Sequence, residues 1–236
     1  MGLRDLGRNM KISQRPLDFI YVIDTSGSME GAKIQSVNNA MHELENLLRS
    51  EARKNPTAQV NVRILTFGGD TAKWHIKEKV DVEQFRYDDI NYVDGMTPFG
   101  HALGVLCDVL GNDKMPSRGL KPVVVLLSDG WPNDTWEPNL QKLLSLPWGQ
   151  KAVKFAIAIG KDADKDVLAR FTTDPQLVVN ANNSTDLKYF IKWTSTLISH
   201  VSQHTTQTDH SGRQVAAEIK VPHPQTMLSD DSDSFV

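Results

Sequence analysis

Short apolar runs alternate with amphipathic stretches along most of this chain. Residues 19–23 and 123–127 are continuous apolar runs rich in β-branched side chains, which predicts strands buried on both faces. After the first run, apolar side chains recur every three or four residues at Ile34, Val37, Met41, Leu44 and Leu48. This spacing predicts a long helix with one buried face, ending before Asn55-Pro56.

Residues 60–67 and 73–82 show a different pattern, in which apolar and polar positions alternate. This alternation predicts two further strands, which Gly68-Gly69-Asp70 joins by a short turn. Strands joined so closely must be antiparallel, so we expect the second to lie at the edge of the sheet.

The rest of the chain continues as alternating helices and strands. The predicted elements are a helix opening at Thr97-Pro98, a short helix at 139–146, a strand at 153–159, a helix at 164–171, a strand at 177–179 and a final helix after Asn183-Ser184. In the final helix the apolar stripe runs through Leu187, Ile191, Thr194, Ile198 and Val201. Such alternation predicts an α/β fold: a doubly wound, mostly parallel sheet with one antiparallel edge strand and helices on both faces.

The predicted organisation has three parts. Residues 1–16 form an N-terminal extension, 17–203 a single domain, and 204–236 a polar tail that we expect to be flexible. The tail ends in an acidic stretch, and its carboxylates could reach the metal site of a neighbouring chain.

Composition narrows the function classes. The net charge is −3 and the basic residues are dispersed, so we expect no nucleic-acid partner. No run of about 18 apolar residues occurs and no signal-peptide pattern is present, so we expect no membrane partner and a cytoplasmic location. Cys107 is the single cysteine and lies among leucines, which favours a buried, inert thiol.

Polar side chains follow the predicted strands at one edge of the sheet. Asp24, Ser26 and Ser28 come after the first strand, Asp129 after the central one, and Thr97 begins a helix at the same edge. Because ligands of open α/β sheets bind beyond the carboxyl ends of the strands, we expect these five side chains to converge. They offer only oxygen atoms, which predicts a hard cation, Mg²⁺, with Mn²⁺ or Ca²⁺ as alternatives.

Each of these residues also has an ordinary structural interpretation. Ser26 and Ser28 could cap the first helix, Thr97 before Pro98 is a good N-cap, and Asp129-Gly130 could be a plain turn. Further acidic and aromatic side chains lie close by in sequence. Glu30, Asp94 and Asp134 are interpreted as solvated carboxylates, and Trp131, Trp136 and Trp148 as either a packing cluster or an interaction surface.

The segment Asp24-Thr25-Ser26-Gly27-Ser28, with the distant Thr97 and Asp129, resembles the metal-ion-dependent adhesion site of von Willebrand factor A (VWA) domains. The resemblance implies a Rossmann-like VWA fold. It also implies direct coordination of the ion by Ser26, Ser28 and Thr97, with Asp24 and Asp129 acting mostly through water. A partner protein would supply an Asp or Glu to the open coordination position.

Residues 95–100 and 128–136 are similar to the bacterial TerY-like subgroup, although Met96 and Asn133 depart from its pattern. That subgroup is linked to stress and tellurium resistance, which implies a protein kinase and a PP2C-type phosphatase as partners. An accessory role beside an AAA+ ATPase is an alternative. An enzyme of Mg²⁺-dependent phosphoryl transfer is the least favoured interpretation, because the chain has no Gly-x-x-x-x-Gly-Lys-Ser/Thr loop and no Gly-x-Ser-x-Gly elbow.

Overall fold

A computed structural model describes residues 14–111, 113–129 and 131–203, the backbone of 207–208 and 214–215, and Pro224. Within these residues the main sheet has six strands: β1 (Arg15–Asp24), β2 (Ala58–Gly68), β3 (Thr71–Asp81), β4 (Val123–Ser128), β5 (Val153–Ile159) and β6 (Val178–Ala181). Their order across the sheet is β3-β2-β1-β4-β5-β6. All neighbouring pairs are parallel except β2 and β3, so the predicted fold class, with its antiparallel edge strand, is confirmed.

Helices cover both faces of this sheet. They are α1 (Ala32–Lys54), α2 (Phe99–Val109), α3 (Glu137–Ser145), α4 (Pro147–Lys151), α5 (Lys165–Thr172), α6 (Ser184–Thr194) and α7 (Leu197–Gln203). α1, α6 and α7 pack on one face, whereas α2, α3 and α5 pack on the other. In the part of the chain described, no helix is both long and apolar enough to span a membrane.

The first strand shows why its sequence is apolar at every position. Phe19, Tyr21 and Ile23 face the core beneath α1, whereas Ile20 and Val22 face the core beneath α2. A strand in the middle of a doubly wound sheet has no solvent-facing side, so both sets of alternating side chains must be apolar. The continuous run of residues 19–23 therefore follows from the position of β1 between β2 and β4.

The structure corrects the prediction of one continuous final helix. The helical stretch divides into α6 and α7 at Ser195 and Thr196. The backbone N–H groups of these two residues donate to carbonyls three residues earlier, and so do their side-chain hydroxyls, to Lys192 and Trp193. Hydroxyl groups that bond to nearby carbonyls compete with the helical pattern, which explains a tightened turn at this point.

The ends of the chain lie largely outside the described residues. This holds for residues 1–13 of the predicted N-terminal extension and for most of the predicted tail, including its acidic stretch. β1 begins at Arg15, two residues before the predicted start of the domain. In the tail region, two short strands, β7 (Gln207–Thr208) and β8 (Gln214–Val215), pair antiparallel.

Candidate metal centre

The segment after β1 brings two serine hydroxyls together. β1 ends at Asp24, and residues Gly27–Met29 form a single 3-10 turn whose Met29 side chain is fully buried. The backbone N–H of Ser26 donates to Asp24 Oδ1 at 2.9 Å. This contact and the buried Met29 fix the turn, and the hydroxyls of Ser26 and Ser28 lie 3.1 Å apart. Two oxygens at this separation can bind the same cation.

Asp24 is a carboxylate held away from solvent beneath these serines. Its side chain is fully buried, and Ser128 at the end of β4 donates its hydroxyl to Asp24 Oδ2 at 2.6 Å. Burial raises the pKa of Asp24 to about 6 from its ordinary value of 3.8, although hydrogen bonds from Ser128 and Ser26 oppose the shift. The charged form of Asp24 therefore lacks sufficient compensation from the protein alone.

Asp129 follows β4 and carries an unsatisfied carboxylate oxygen. Only 5% of the residue is exposed, and its Oδ1 is buried without a hydrogen-bond partner among the described residues. Its Oδ2 lies 3.4 Å from the ammonium nitrogen of Lys33, at the start of α1. A buried carboxylate oxygen without a hydrogen-bond donor destabilises the folded protein. A cation bound beside Asp129 would offset this cost.

Thr97 lies in the connection between β3 and α2, which runs between the other two loops. Its N–H donates to Asn133 Oδ1 at 2.9 Å, and its carbonyl accepts the Asn133 N–H at 3.3 Å. On the other side, the N–H of Gly27 donates to the carbonyl of Gly95 at 3.4 Å. Thr97 also lines a small cavity together with Ser128, the residue that donates to Asp24. The connection therefore places Thr97 beside both aspartate-bearing loops.

The structure contradicts the interpretation of the hydroxyl residues as helix caps. α1 begins after Gly31, α2 begins after Pro98, and the 3-10 turn begins after Ser26, with no side-chain capping bond at any of these positions. The hydroxyls of Ser26, Ser28 and Thr97 are thus not used to cap a helix. The hydroxyls of Ser26 and Ser28 contact each other instead.

Asp134 performs the capping for which Thr97 was the sequence candidate in the alternative, structural interpretation. Its two carboxylate oxygens accept the backbone N–H groups of Gly100 and His101, at 2.9 and 3.1 Å. The interpretation of Asp134 as a solvated carboxylate is therefore wrong. A side chain at Gly100 would collide with this loop, because a Cβ there would lie 2.7 Å from the Thr135 carbonyl oxygen. Asn133 and Asp134 together hold the Thr97 loop against the Asp129 loop.

Sequence reasoning missed this positioning role, because the sequence indicates only that the start of α2 needs an acceptor and not which residue supplies it. α2 has no capping side chain at Pro98 and no acidic residue in its first turn. The free N–H groups of its first turn therefore require an acceptor from elsewhere in the fold. His101, in that first turn, is exposed.

Other charged groups near the site are mostly acidic. A Cβ at Gly27 would lie 3.5 Å from Asp94 Oδ1, which places this carboxylate against the serine turn. Glu30 follows the turn directly, and its carboxylate raises the pKa of the Tyr92 hydroxyl. No group of three or more His, Cys, Asp or Glu side chains suited to a metal ion occurs in the portion of the chain described. The candidate donors are thus hydroxyl and aspartate oxygens, which suit a hard cation.

The three tryptophans do not form one cluster. Trp136 is buried against Phe99, with its ring centroid 5.9 Å from that of Phe99 and the Arg170 guanidinium 4.3 Å above it. Trp148 is partly buried and lies beside Lys151. Trp131, in contrast, is 61% exposed. The packing interpretation therefore holds for Trp136, whereas Trp131 is available at the surface.

A sequence model of the von Willebrand factor type A domain matches residues 18–193. The chain belongs to this family. The match includes residues of all six strands of the main sheet, the helices from α1 to α6 and every loop of the candidate site, and it ends before α7. Gly130, beside Asp129 in the family's motif, lies outside the described residues.

A curated relative is similar to this chain over most of this chain's length. Inter-alpha-trypsin inhibitor heavy chain H2 of Homo sapiens is 29% identical over 216 residues, which are 82% of this chain and 22% of that protein. The chain thus spans about a fifth of the length of this curated relative.

Two solved structures share the fold. The pilus adhesin SpaC of Lactobacillus rhamnosus GG superposes with a TM-score of 0.63 at 15% identity, over 78% of this chain and 30% of SpaC. Proximal thread matrix protein 1 of the mussel byssus, described with a zinc-occupied MIDAS motif, gives a TM-score of 0.56 at 18% identity, over 79% and 46% of the two chains.

Proposed function

We propose that this VWA domain binds one divalent cation and uses it to bind a partner protein. The observation that carries the proposal is the buried Oδ1 of Asp129, which has no hydrogen-bond partner among the described residues and follows the strand next to the one that the paired hydroxyls of Ser26 and Ser28 follow. A cation at this point would satisfy the Asp129 oxygen and offset the charge of the buried Asp24. The donor set fits a metal ion on its chemistry alone.

Ser26, Ser28 and Thr97 would hold the ion directly, with Asp24 and Asp129 acting mostly through water. Neutral hydroxyls add no negative charge, so an ion bound by them remains a strong Lewis acid. Mg²⁺ is the proposed ion, with Mn²⁺ or Ca²⁺ as alternatives, since all of these prefer oxygen ligands. The zinc reported for the mussel protein supports divalent-metal binding by a relative's MIDAS motif.

The proposed ligand of the open coordination position is an Asp or Glu side chain of the partner. A carboxylate loses its hydration at a protein interface, and a metal ion replaces that lost interaction. Binding of the partner would therefore depend on binding of the metal ion. Without metal, the acidic surroundings of Asp94 and Glu30 would repel an acidic partner.

We further propose that the chain is a binding module without catalytic activity. Ser26 shares a hydrogen bond with Ser28 and its N–H contacts Asp24, so no histidine or lysine base activates its hydroxyl in these contacts. The bacterial TerY-like setting, with a protein kinase and a PP2C-type phosphatase as partners, rests on the sequence resemblance alone. An accessory subunit of an AAA+ ATPase is the alternative. A cytoplasmic location stays a prediction.

The proposal is tested by affinity capture from the source cell with the tagged chain in Mg²⁺ or in EDTA. We expect a protein partner that is retained in Mg²⁺, released by EDTA and lost with Asp24→Ala. Ser117→Ala is the matched control, because Ser117 is exposed and lies just before Arg118, whose carbonyl contacts Arg15 at the opposite end of β1. Equal recovery of every captured protein with EDTA, or with Asp24→Ala, would remove the proposal.

A further inference from the structure

Three large apolar side chains stand out on the surface of the described residues. They are Tyr92, Met96 and Trp131, with exposed fractions of 40%, 53% and 61%. All other large hydrophobic side chains described are less exposed. We call these three residues the apolar rim. Isolated exposed hydrophobic residues are common, but a set confined to the loops of one site indicates an interaction surface.

Each member of the apolar rim belongs to a different part of the candidate metal centre. Met96 directly precedes Thr97, and Trp131 comes two residues after Asp129. Tyr92 directly precedes Val93, whose N–H donates to the carbonyl of Thr25 in the loop that carries Ser26 and Ser28. The rim therefore touches all three loops that carry the five oxygen donors.

Local contacts hold the Trp131 side chain and the backbone beside Tyr92 in place before any partner binds. The indole N–H of Trp131 donates to the carbonyl of Asp162 at 2.6 Å, and the neighbouring Asp164 N–H donates to the Asp129 carbonyl at 2.8 Å. The ring is thus exposed but tied to the loop after β5. The Tyr92 backbone is fixed by the next residue, because the Val93 N–H donates to the Thr25 carbonyl at 2.7 Å. Aromatic side chains already held in position lose little entropy on binding.

The rim residues are not explained by packing within the domain. Their neighbour Trp136 is 7% exposed and contributes to the core, whereas Trp131 leaves most of its ring in solvent. Apolar area at this location gains free energy only when a partner covers it. Since an ion at the centre attracts a carboxylate, the partner must present both chemistries together.

We infer that the apolar rim selects protein segments in which the metal-binding Asp or Glu is directly flanked by a large apolar side chain. This inference rests on the proposed function and specifies the partner of the same site. The metal would bind the carboxylate of the partner segment. Tyr92, Met96 and Trp131 would contact the apolar residues beside that carboxylate. The occupant is thus a short acidic segment of another protein with aromatic or large aliphatic residues beside the acid.

The test is selection of a phage-displayed library of random 12-residue peptides on the immobilised full chain in Mg²⁺, with elution by EDTA. We expect the eluted peptides to share an Asp or Glu with a large apolar residue on at least one side. The rim variant Tyr92→Ser/Met96→Ser/Trp131→Ser should still select an acidic residue, but without the apolar neighbour. Its Mn²⁺ binding and circular dichroism should match those of the wild type, since its altered side chains are exposed.

One selected peptide then quantifies the pairing by fluorescence polarisation. We expect about tenfold weaker binding when the rim is replaced, and about tenfold weaker binding when the apolar residue of the peptide becomes Ser. Combining both changes should add little further loss, because the two changes remove the same contact. A peptide with Asn in place of its acidic residue should not bind.

The outcomes separate the two proposals. An acidic consensus without an apolar neighbour, or equal peptide affinity for the rim variant, would overturn the inference and leave the proposed function standing. Failure to select any EDTA-eluted acidic peptide would overturn the proposed function itself. Gel filtration tests whether the rim binds a second copy of this chain instead. A Mg²⁺-dependent dimer that the rim variant cannot form would show this, and it would contradict the inference.

Discussion

Asp24 is a buried carboxylate that the protein solvates with hydroxyl and backbone donors. Burial raises its pKa to about 6, so the folded protein without metal favours the protonated form. Because the pKa of Asp24 is higher in the folded than in the unfolded protein, protonated Asp24 contributes to the free energy of unfolding. This contribution is complete below the ordinary pKa of 3.8 and is lost as the pH rises through about 6. At neutral pH the charge of Asp24 therefore destabilises the metal-free fold.

Asp24→Asn should accordingly stabilise the metal-free protein. The amide keeps the shape and can still bond to Ser26 and Ser128, but carries no charge. In EDTA near pH 7 we expect the free energy of unfolding to rise by about 2 kcal/mol. Urea denaturation between about pH 4 and pH 7 should show a decline with pH in the wild type, and that decline should be smaller in the variant.

The same substitution should abolish stabilisation by Mg²⁺. In the wild type, a free Mg²⁺ concentration of about 100 times the dissociation constant should add about 2.7 kcal/mol. A variant that is less stable than the wild type in EDTA, or that still gains stability from Mg²⁺, would show that the Asp24 charge has another role.

The sequence predicted the positions of the site aspartates, because the ends of two strands determine them. Asp24 and Asp129 end or directly follow strands β1 and β4, whose apolar runs are unmistakable. The partners of Asn133 and Asp134 could not be predicted, because Asp134 caps a helix that begins 35 residues earlier in the chain, at Phe99. Such a contact depends on how two loops meet in the folded protein, and no local spacing records it.

At the scale of elements, the end of β2 supports the serine turn after β1. A Cβ at Gly68 would lie 2.6 Å from Thr25 Oγ1 and 2.9 Å from the Ser26 nitrogen. Thr25 also donates its N–H and its hydroxyl to the carbonyl of Phe67, at 2.8 and 3.1 Å. The two strands therefore approach so closely here that only glycine fits.

Gly68→Ala should displace the Thr25–Ser26 backbone and weaken both fold and metal binding. We expect a loss of about 2 kcal/mol in the free energy of unfolding, in the range of overpacked sites, and at least tenfold weaker Mn²⁺ binding. The matched control is Gly104→Ala within α2, where a Cβ would make an ordinary 3.5 Å contact with Asn139.

Alanine at Gly104 favours the helix, so that variant should be as stable as the wild type or slightly more stable. Denaturation and Mn²⁺ titration of both variants measure the difference. If Gly68→Ala behaved like Gly104→Ala, the serine turn would not depend on the close approach of β2.

Periodicity predicted the elements well where packing is uniform along them. The five apolar positions of α1, from Ile34 to Leu48, are all buried as expected. The stripe of the final helix was also correct, since Leu187, Ile191, Thr194, Ile198 and Val201 are buried. The break between α6 and α7 escaped the pattern, because hydroxyl–carbonyl bonds at Ser195 and Thr196 tighten the turn without changing which positions are apolar.

For the whole molecule, the alternation of strands and helices was sufficient to predict the doubly wound sheet. Parallel order places the carboxyl ends of β1 and β4 side by side in the middle of the sheet. The site loops therefore lie on one edge of the sheet. The partner and the cellular setting are not encoded in this way, since they depend on other chains.

The central claim is that oxygen-bearing side chains from three loops hold a single divalent cation. Isothermal titration calorimetry of the metal-free protein with MnCl₂ tests it most directly. We predict one binding site per chain, lost in Ser26→Ala/Ser28→Ala, weakened at least tenfold in Thr97→Ala, and unchanged in Ser117→Ala. Absence of binding to the wild type, or equal binding by the double serine variant, would contradict the account.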